Sequence, residues 1–352
     1  MKLKISFAIA AVTAAAALAA AERPRQVIVV PNFHPACCGW LADFSTERNY
    51  CGNSYLDHLD RVRDDPGYAF AISEVPNMLA ILNFEPARFE ELKARVREGR
   101  VEAVNAFFLE PTINLSGGEA LVKSGVEGLR WQEKVLGTRP RFAWMIDVTG
   151  THEQMAQITA GLGLDALVYT RHNPTGSAVH WAESPDGTRT VAISPGGYAE
   201  WGQAFATRSA LSPGAIRELV RDVEARAART PAGAPVLIFG GSGDYSLAPL
   251  RREYPSELIE DWKEAAPGID LRFGTLSTYL DAILPRLRSG EMAVPTMRGG
   301  TAFSFNSFWI ECPTVKSWYR RCEEALAAAE MASTIASLKG DFEYPVETLN
   351  RA

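Results

Sequence analysis

Hydrophobic and polar positions alternate along this chain in blocks rather than residue by residue. Val27-Ile28-Val29-Val30 is a continuous β-branched run, the pattern of a strand buried on both faces. Further short apolar runs follow at Ala69–Ser73, Val101–Phe108, Phe142–Ile146, Ala166–Tyr169, Val236–Phe239 and Leu271–Phe273. Between them lie longer stretches with helical spacing, several of them highly charged: Tyr55–Arg63, Pro86–Glu98, Gly118–Leu136, Gln154–Leu162, Pro213–Arg229, Ser256–Ala265 and Leu276–Leu287. Strand and helix in alternation over roughly 250 residues predict a parallel sheet covered by helices. A closed or nearly closed β/α barrel fits this order better than a dinucleotide-binding sheet. The stretch from His172 to Trp201 is polar and rich in turn residues, and predicts either a long loop or a pair of hairpin strands over the barrel mouth.

Several strands run into ionisable residues. Phe142–Ile146 runs into Asp147, with Gly150 three residues on, and Val27–Val30 leads to His34. Ala69–Ser73 ends in Glu74, Val101–Phe108 leads to Glu110, and Ala166–Tyr169 ends near Arg171. In α/β folds the carboxyl ends of parallel strands are where catalytic groups collect. A carboxylate there is paired, hydrogen-bonded or metal-bound, or else it caps the next helix. No Gly-x-Gly-x-x-Gly follows the first strand, so a nicotinamide cofactor has no cradle. Gly240-Gly241-Ser242-Gly243 lacks the Lys-Ser/Thr of a phosphate loop.

Composition narrows the classes. The 352 residues carry a net charge of -6 and no basic patch with interleaved aromatics, which argues against nucleic acid as a partner. Met1–Ala21 combines Lys2 and Lys4, an alanine-rich apolar core and small residues at its end, the pattern of a secretory signal peptide. A secreted or periplasmic protein is expected. No later apolar run approaches the roughly 20 residues needed to span a bilayer. In an exported protein the five cysteines, 37, 38, 51, 312 and 322, can pair, and an odd count leaves one over. The adjacent Cys37 and Cys38 lack the Cys-x-x-Cys spacing of a thiol redox protein.

The order of these features resembles the N-terminal catalytic domain of glycoside hydrolase family 38, the α-mannosidases, over nearly the whole mature chain. The likeness rests on His34 followed by Gly39-Trp40, on Tyr68–Glu74, on Gly99–Glu102 and Ser116–Glu119, on Trp144–Gly150 with its Asp-x-x-Gly, and on Gly243-Asp244. Pro313–Glu330 resembles the first helix of the family's three-helix bundle. The resemblance implies a seven-stranded β/α barrel, the catalytic domain, over residues 22–300 and, over 301–352, the beginning of a bundle that stops short. It implies a retaining mechanism on a carbohydrate substrate. Asp147 would be the nucleophile and Asp244 the general acid/base, a pair about 5–5.5 Å apart. Trp40 would wall a sugar ring, and Arg171 and Arg298 are further substrate-binding candidates.

The family also binds a zinc ion that holds vicinal sugar hydroxyls, through a His and an Asp of the first loop, the nucleophile and a late His. Here His34 and Asp147 stand, but Ala36 and Met297 occupy the other two places. Two ligands make a partial site where zinc usually takes three or four. Cys37 or Cys38 could supply a replacement thiolate. The expectation is therefore a glycosidase with an altered or absent metal and no other cofactor. The alternative is a non-catalytic glycan-binding relative. A metal-dependent deacetylase on a similar barrel is disfavoured, since no His-x-x-x-His or His-x-x-x-x-His occurs.

Overall fold

The computed structural model describes residues 25–35, 42–206, 208–241, 243–244, 248–250, 253–302, 311–340 and 342–351. Strand β1 (Gln26–Pro31) lies at the centre. Val27 and Val29 enter one apolar cluster with Tyr55, Phe70 and Ile238, while Ile28 and Val30 enter a second with Phe142, Trp144 and Phe239. With both faces buried, the strand has no polar position to alternate with. It pairs in parallel with β9 (Val236–Gly240) on one edge and β10 (Asp270–Phe273) on the other.

A five-stranded sheet carries the middle of the chain. β4 (Phe142–Met145), β6 (Ala166–Tyr169) and β8 (Arg189–Ile193) run parallel, β7 (Val179–Glu183) is antiparallel to β8, and β11 (Thr296–Arg298) is parallel to β7. The polar stretch after His172 thus holds a hairpin, and that hairpin belongs to the main sheet instead of covering its mouth. Among the described residues, β2 (Phe70–Ile72) and β3 (Val101–Ala103) pair with each other alone. β5 (Gly150–Thr151) and β12 (Thr301–Ala302) form a short antiparallel pair.

The fold is α/β with small mixed sheets, and the closed seven-stranded barrel expected from the sequence is not what the described ladders form. The strands are short: β2 and β3 pair over three residues each. The ladders are linked by isolated bonds. Ala106 N–H donates to Phe142 O and Glu200 N–H to Phe239 O, each at 2.9 Å.

The helices supply the outer cover and fix the strand exits. In α4 (Gly118–Trp131), Gly128 sits so close to the chain leaving β3 that a Cβ would lie 2.2 Å from Ala106 O and 2.5 Å from Phe108 N. α9 (Leu276–Ser289) is capped by Glu102, whose carboxylate accepts the N–H groups of Leu276 at 2.6 Å and Ser277 at 3.2 Å. Gly241, at the end of β9, lies where a Cβ would meet Asn32 O at 2.2 Å. The glycine-rich run therefore serves a close crossing of two strand ends. It lets the chain past β1 continue alongside the chain past β9, to a bridge between His34 and Asp244.

Helix Pro313–Leu338 buries none of its residues. It rests on the start of α4 through polar contacts: Glu323 accepts Gly117 N–H at 2.8 Å, Tyr319 and Ser116 hydroxyls are 3.1 Å apart, and Lys123 pairs with Glu330. A last helix follows at Val346–Arg351. No described helix is long and apolar enough to cross a membrane.

Candidate active site

Six chain segments deliver side chains to one place, each from the carboxyl end of a strand or the loop beyond it. His34 comes after β1, Glu110 after β3, Asp147 after β4, Arg171 after β6, Tyr198 after β8 and Asp244 after β9. The exits are tied together locally. Asn32 Nδ2 donates to Tyr198 O at 3.0 Å, and Asn105 Oδ1 accepts the N–H groups of Phe107 at 3.1 Å and Trp144 at 3.4 Å.

His34 is the hub. Its Nε2 lies 3.0 Å from Glu110 Oε2, and its Nδ1 lies 3.3 Å from Asp244 Oδ1 and 3.7 Å from Asp147 Oδ2. Glu110 uses its second oxygen to accept the backbone N–H of Asp147 at 3.0 Å. Arg171 Nε pairs with Asp147 Oδ1. The Tyr198 hydroxyl is 3.4 Å from Asp147 Oδ2 and 3.3 Å from Asp244 Oδ1, so it reaches both carboxylates. The Arg171 guanidinium lies 5.8 Å from the centre of the Tyr198 ring. Exposure grades across the cluster: the side chains of His34 and Glu110 are 10% exposed, Asp147 20% and Asp244 35%. His34 is thus at the inner end of the cluster and Asp244 at its outer end. A cavity of about 370 Å³ opens there, walled by Thr170, Arg171, Tyr198 and Asp244.

The electrostatics follow from that packing. Burial alone would lower the basicity of His34. Its hydrogen bonds to Asp244 and Glu110, with the charges of Glu110 and Asp147, outweigh burial and hold it well above the usual histidine range. The hydrogen bond to His34 in turn keeps Asp244 below the ordinary carboxylate range, against its partial burial. Burial raises the Tyr198 phenol, with the negative charges of Asp147 and Asp244 adding to it. Behind the cluster, burial and then the charge of Glu110 push Glu74 to about 8. Glu74 also holds a positive φ of 67°, a strained conformation for a residue with a side chain.

Of the residues singled out in the sequence, His34, Asp147, Arg171 and Asp244 come together. Arg298 does not join them. It lies exposed on β11 and donates from Nε and Nη2 to Glu183 at 2.7 and 3.1 Å. Trp40, Cys37 and Cys38 lie outside the described residues. Met297 is buried with its sulfur 3.7 Å from the Tyr169 hydroxyl. Glu110 and Tyr198 carry much of the geometry, and the sequence does not single them out as site residues. Glu110 has a signal in its place beyond a strand-like run. Tyr198 has none, being one aromatic in a long polar stretch.

The donor set fits zinc poorly. Both ring nitrogens of His34 face carboxylates of the chain itself, and Asp147 is taken up by Arg171 and Tyr198. Among the described residues no group of three or more His, Cys, Asp or Glu side chains is arranged to hold a metal ion.

Residues 24–300 match the model of the glycosyl hydrolases family 38 N-terminal domain. The chain is 22% identical over 318 residues to human alpha-mannosidase 2C1, covering 88% of this chain and 29% of that protein. It is 27% identical over 152 residues to mouse alpha-mannosidase 2, covering 43% of this chain and 13% of that protein. Among solved structures, an alpha-mannosidase from Enterococcus faecalis V583 superimposes with a TM-score of 0.66 at 18% identity, over 78% of this chain and 30% of that one. The alpha-amylase AmyC from Thermotoga maritima superimposes with a TM-score of 0.52 at 12% identity, over 91% of this chain and 83% of that one. At these identities the two structures speak to the fold. The chain spans less than a third of the length of the mannosidases it matches.

Proposed function

The chain belongs to glycosyl hydrolases family 38, and on that premise we propose that it is a retaining glycosidase acting on α-mannosides or related sugars. The reading takes residues 22–300 as a catalytic unit of the β/α-barrel type, with its ladders linked by single bonds, and the helices from Pro313 onward as a separate helical unit. One observation carries the chemistry. The Tyr198 hydroxyl and His34 Nδ1 each reach both Asp147 and Asp244. Two carboxyls that share such small neighbours suit the about 5–5.5 Å separation of a retaining pair better than the about 6.5–9.5 Å of an inverting pair, which must admit a water.

In this reading Asp147 attacks the anomeric carbon. Arg171 and Tyr198 hold its carboxylate, and the Glu110 contact to its backbone N–H fixes where the strand end points. Asp244, nearer solvent, faces the departing group, so the leaving alcohol exits toward the mouth. The proton for the leaving oxygen is stored in the His34–Asp244 hydrogen bond and is delivered through Asp244. In the second step Asp244 takes a proton from water as that water displaces the sugar from Asp147. No step runs through a metal.

The test is hydrolysis of an aryl α-mannoside followed by proton NMR. The α-anomer of the released sugar should appear first and then mutarotate. First appearance of the β-anomer would contradict the retaining assignment. Sugar binding without turnover would favour the glycan-binding alternative.

A further inference from the structure

A second cleft lies at the far end of the strands from the catalytic cluster. There the β7–β8 hairpin and β11 meet the last turn of α9, and Trp181, Arg189, Leu287, Arg288, Ser289 and Met292 wall a cavity of about 530 Å³. Arg189 opens β8, and the other end of that strand leads on to Tyr198. Four residue steps from Arg189 to Ile193, about 3.3 Å each, put about 13 Å of strand between the two places. We propose that this cleft binds an acidic sugar unit, a pyranose that carries an oxyanion group, as an anchoring site separate from the catalytic one.

The anion follows from how the charges are paired. Glu183 accepts two donors from Arg298, at 2.7 and 3.1 Å. Asp165 is shared by Arg141 at 2.8 Å and Arg288 at 3.3 Å. Asp186, in the turn between β7 and β8, is held by the N–H and hydroxyl of Thr188 at 2.9 and 2.8 Å. Arg189 is left with a hydroxyl. Its Nη2 donates to Thr296 Oγ1 at 3.0 Å, while its Nε stands 3.6 Å from Glu183, beyond a good hydrogen bond. Its Nη1 has no partner among the described residues. The side chains of Arg189 and Arg288 are 44% and 65% exposed, so their remaining donors are open to solvent. A guanidinium takes an oxyanion through two parallel N–H donors and stays charged at any working pH. Arg189 is also ordered in advance: its Cζ lies 4.8 Å from the centre of the Trp181 ring, and Thr296 fixes its edge. A side chain held in place before binding gives up less freedom on binding.

The sugar follows from size and walls. The cavity is far larger than an inorganic ion and lies in the range of small-molecule sites. Leu287 and Met292 are buried and give it an apolar side, which suits the C–H face of a ring, and Ser289 adds a hydroxyl. Glycans are the polymers that a glycosyl hydrolase meets, which favours an acidic sugar over an acidic peptide. The proposal uses the family membership alone and does not depend on turnover at Asp147.

The experiment titrates the full chain with glucuronate, glucose 6-phosphate, glucose and inorganic phosphate, with binding read by calorimetry and ligand-observed NMR. At least one acidic sugar should saturate the protein below about 10 mM, and more weakly as salt is raised. Glucose and inorganic phosphate should each bind at least about 10-fold more weakly than that sugar. Glucuronate as the tighter ligand assigns a carboxylate, and glucose 6-phosphate as the tighter one assigns a phosphate. Arg189→Ala should weaken binding by about 10-fold or more, with Arg189→Gln in its place if the alanine variant does not fold. Asp147→Asn should bind as wild type does, which separates this cleft from the catalytic one. No saturable binding of either acidic sugar, inorganic phosphate as tight as the sugars, an acidic dipeptide bound in their place, or an affinity untouched in Arg189→Ala overturns the proposal. Hydrolysis of an aryl α-mannoside by Arg189→Ala should match wild type, and a large fall in that rate would overturn the separation of the two sites. If wild type turns over no mannoside, the glycosidase reading fails while the binding result still decides this one.

Discussion

Nε2 of His34 lies 3.0 Å from a carboxylate oxygen of Glu110. Glu110 thereby orients the imidazole that contacts Asp244, and through its other oxygen it anchors the backbone of Asp147. It touches both halves of the proposed catalytic pair indirectly, as a positioning residue. Glu110→Gln keeps the shape but removes the charge. The expected result is a fall in kcat, below the about 100- to 10,000-fold typical of an acid–base group itself, with KM little changed. A change confined to KM would place Glu110 on the substrate instead.

Tyr198→Phe removes one hydroxyl and leaves the ring under Arg171. Hydrogen bonds to charged groups contribute about 1.5–3 kcal/mol, which corresponds to roughly a 10- to 100-fold loss in kcat/KM. Stability should hold, because the ring keeps its contacts with His34 and Arg171. Thermal unfolding and initial rates measured on the same preparation check both halves; an unchanged rate would remove Tyr198 from the mechanism.

Glu74 gives a pH dependence whose sign can be worked out. Its folded value of about 8 lies above the ordinary glutamate value of 4.5. Between those limits the folded state binds more protons than the unfolded one, so stability falls as pH rises. The penalty is absent below the unfolded value and fully present above the folded one. Glu74→Gln, which cannot ionise, should match wild type near pH 4 and be the more stable protein above pH 8. Every tenfold difference in proton affinity between the folded and unfolded carboxyl corresponds to about 1.4 kcal/mol at most. Urea midpoints at the two pH values read it out, and equal differences at both would show that Glu74 is not held protonated.

Much of this is legible in the sequence. The β-branched run at Val27–Val30 and the apolar run before Asp147 mark strands because both faces are buried, which leaves an uninterrupted hydrophobic signal. The carboxylates after those strands are visible for the same reason. What is not legible depends on side chains meeting across the fold. Glu110 has no motif around it, and its role comes from where α4 presses the exit of β3. Tyr198 lies in a polar stretch whose hairpin joins the main sheet through pairing between distant strands. Arg298 reads as a site residue from its neighbourhood in the sequence, and its partner Glu183 comes from the hairpin, which periodicity does not settle. The sequence overstates strand closure because apolar runs mark where strands lie but not how many residues of each are paired.

The placement of Glu110 can be tested through Gly128. A methyl there would meet rigid backbone at Ala106 O and Phe108 N, neither of which can swing aside. Gly128→Ala should destabilise the protein by about 1–3 kcal/mol and lower activity beyond what that loss of folded protein explains. Gly118→Ala, where nothing lies within 4 Å of the added methyl, is the control and should change neither. Equal stability of the two variants would show that α4 can retreat from the β3 exit.

The central claim is that Asp147 forms a covalent bond to the sugar. Incubation with an activated fluorinated glycosyl donor, whose intermediate hydrolyses slowly, followed by proteolysis and mass spectrometry, tests it directly. The account predicts one added sugar on the peptide that contains Asp147, and none in Asp147→Asn. A sugar carried by Asp244 or Glu110, or steady turnover of a natural glycoside by Asp147→Asn at the wild-type rate, would contradict it.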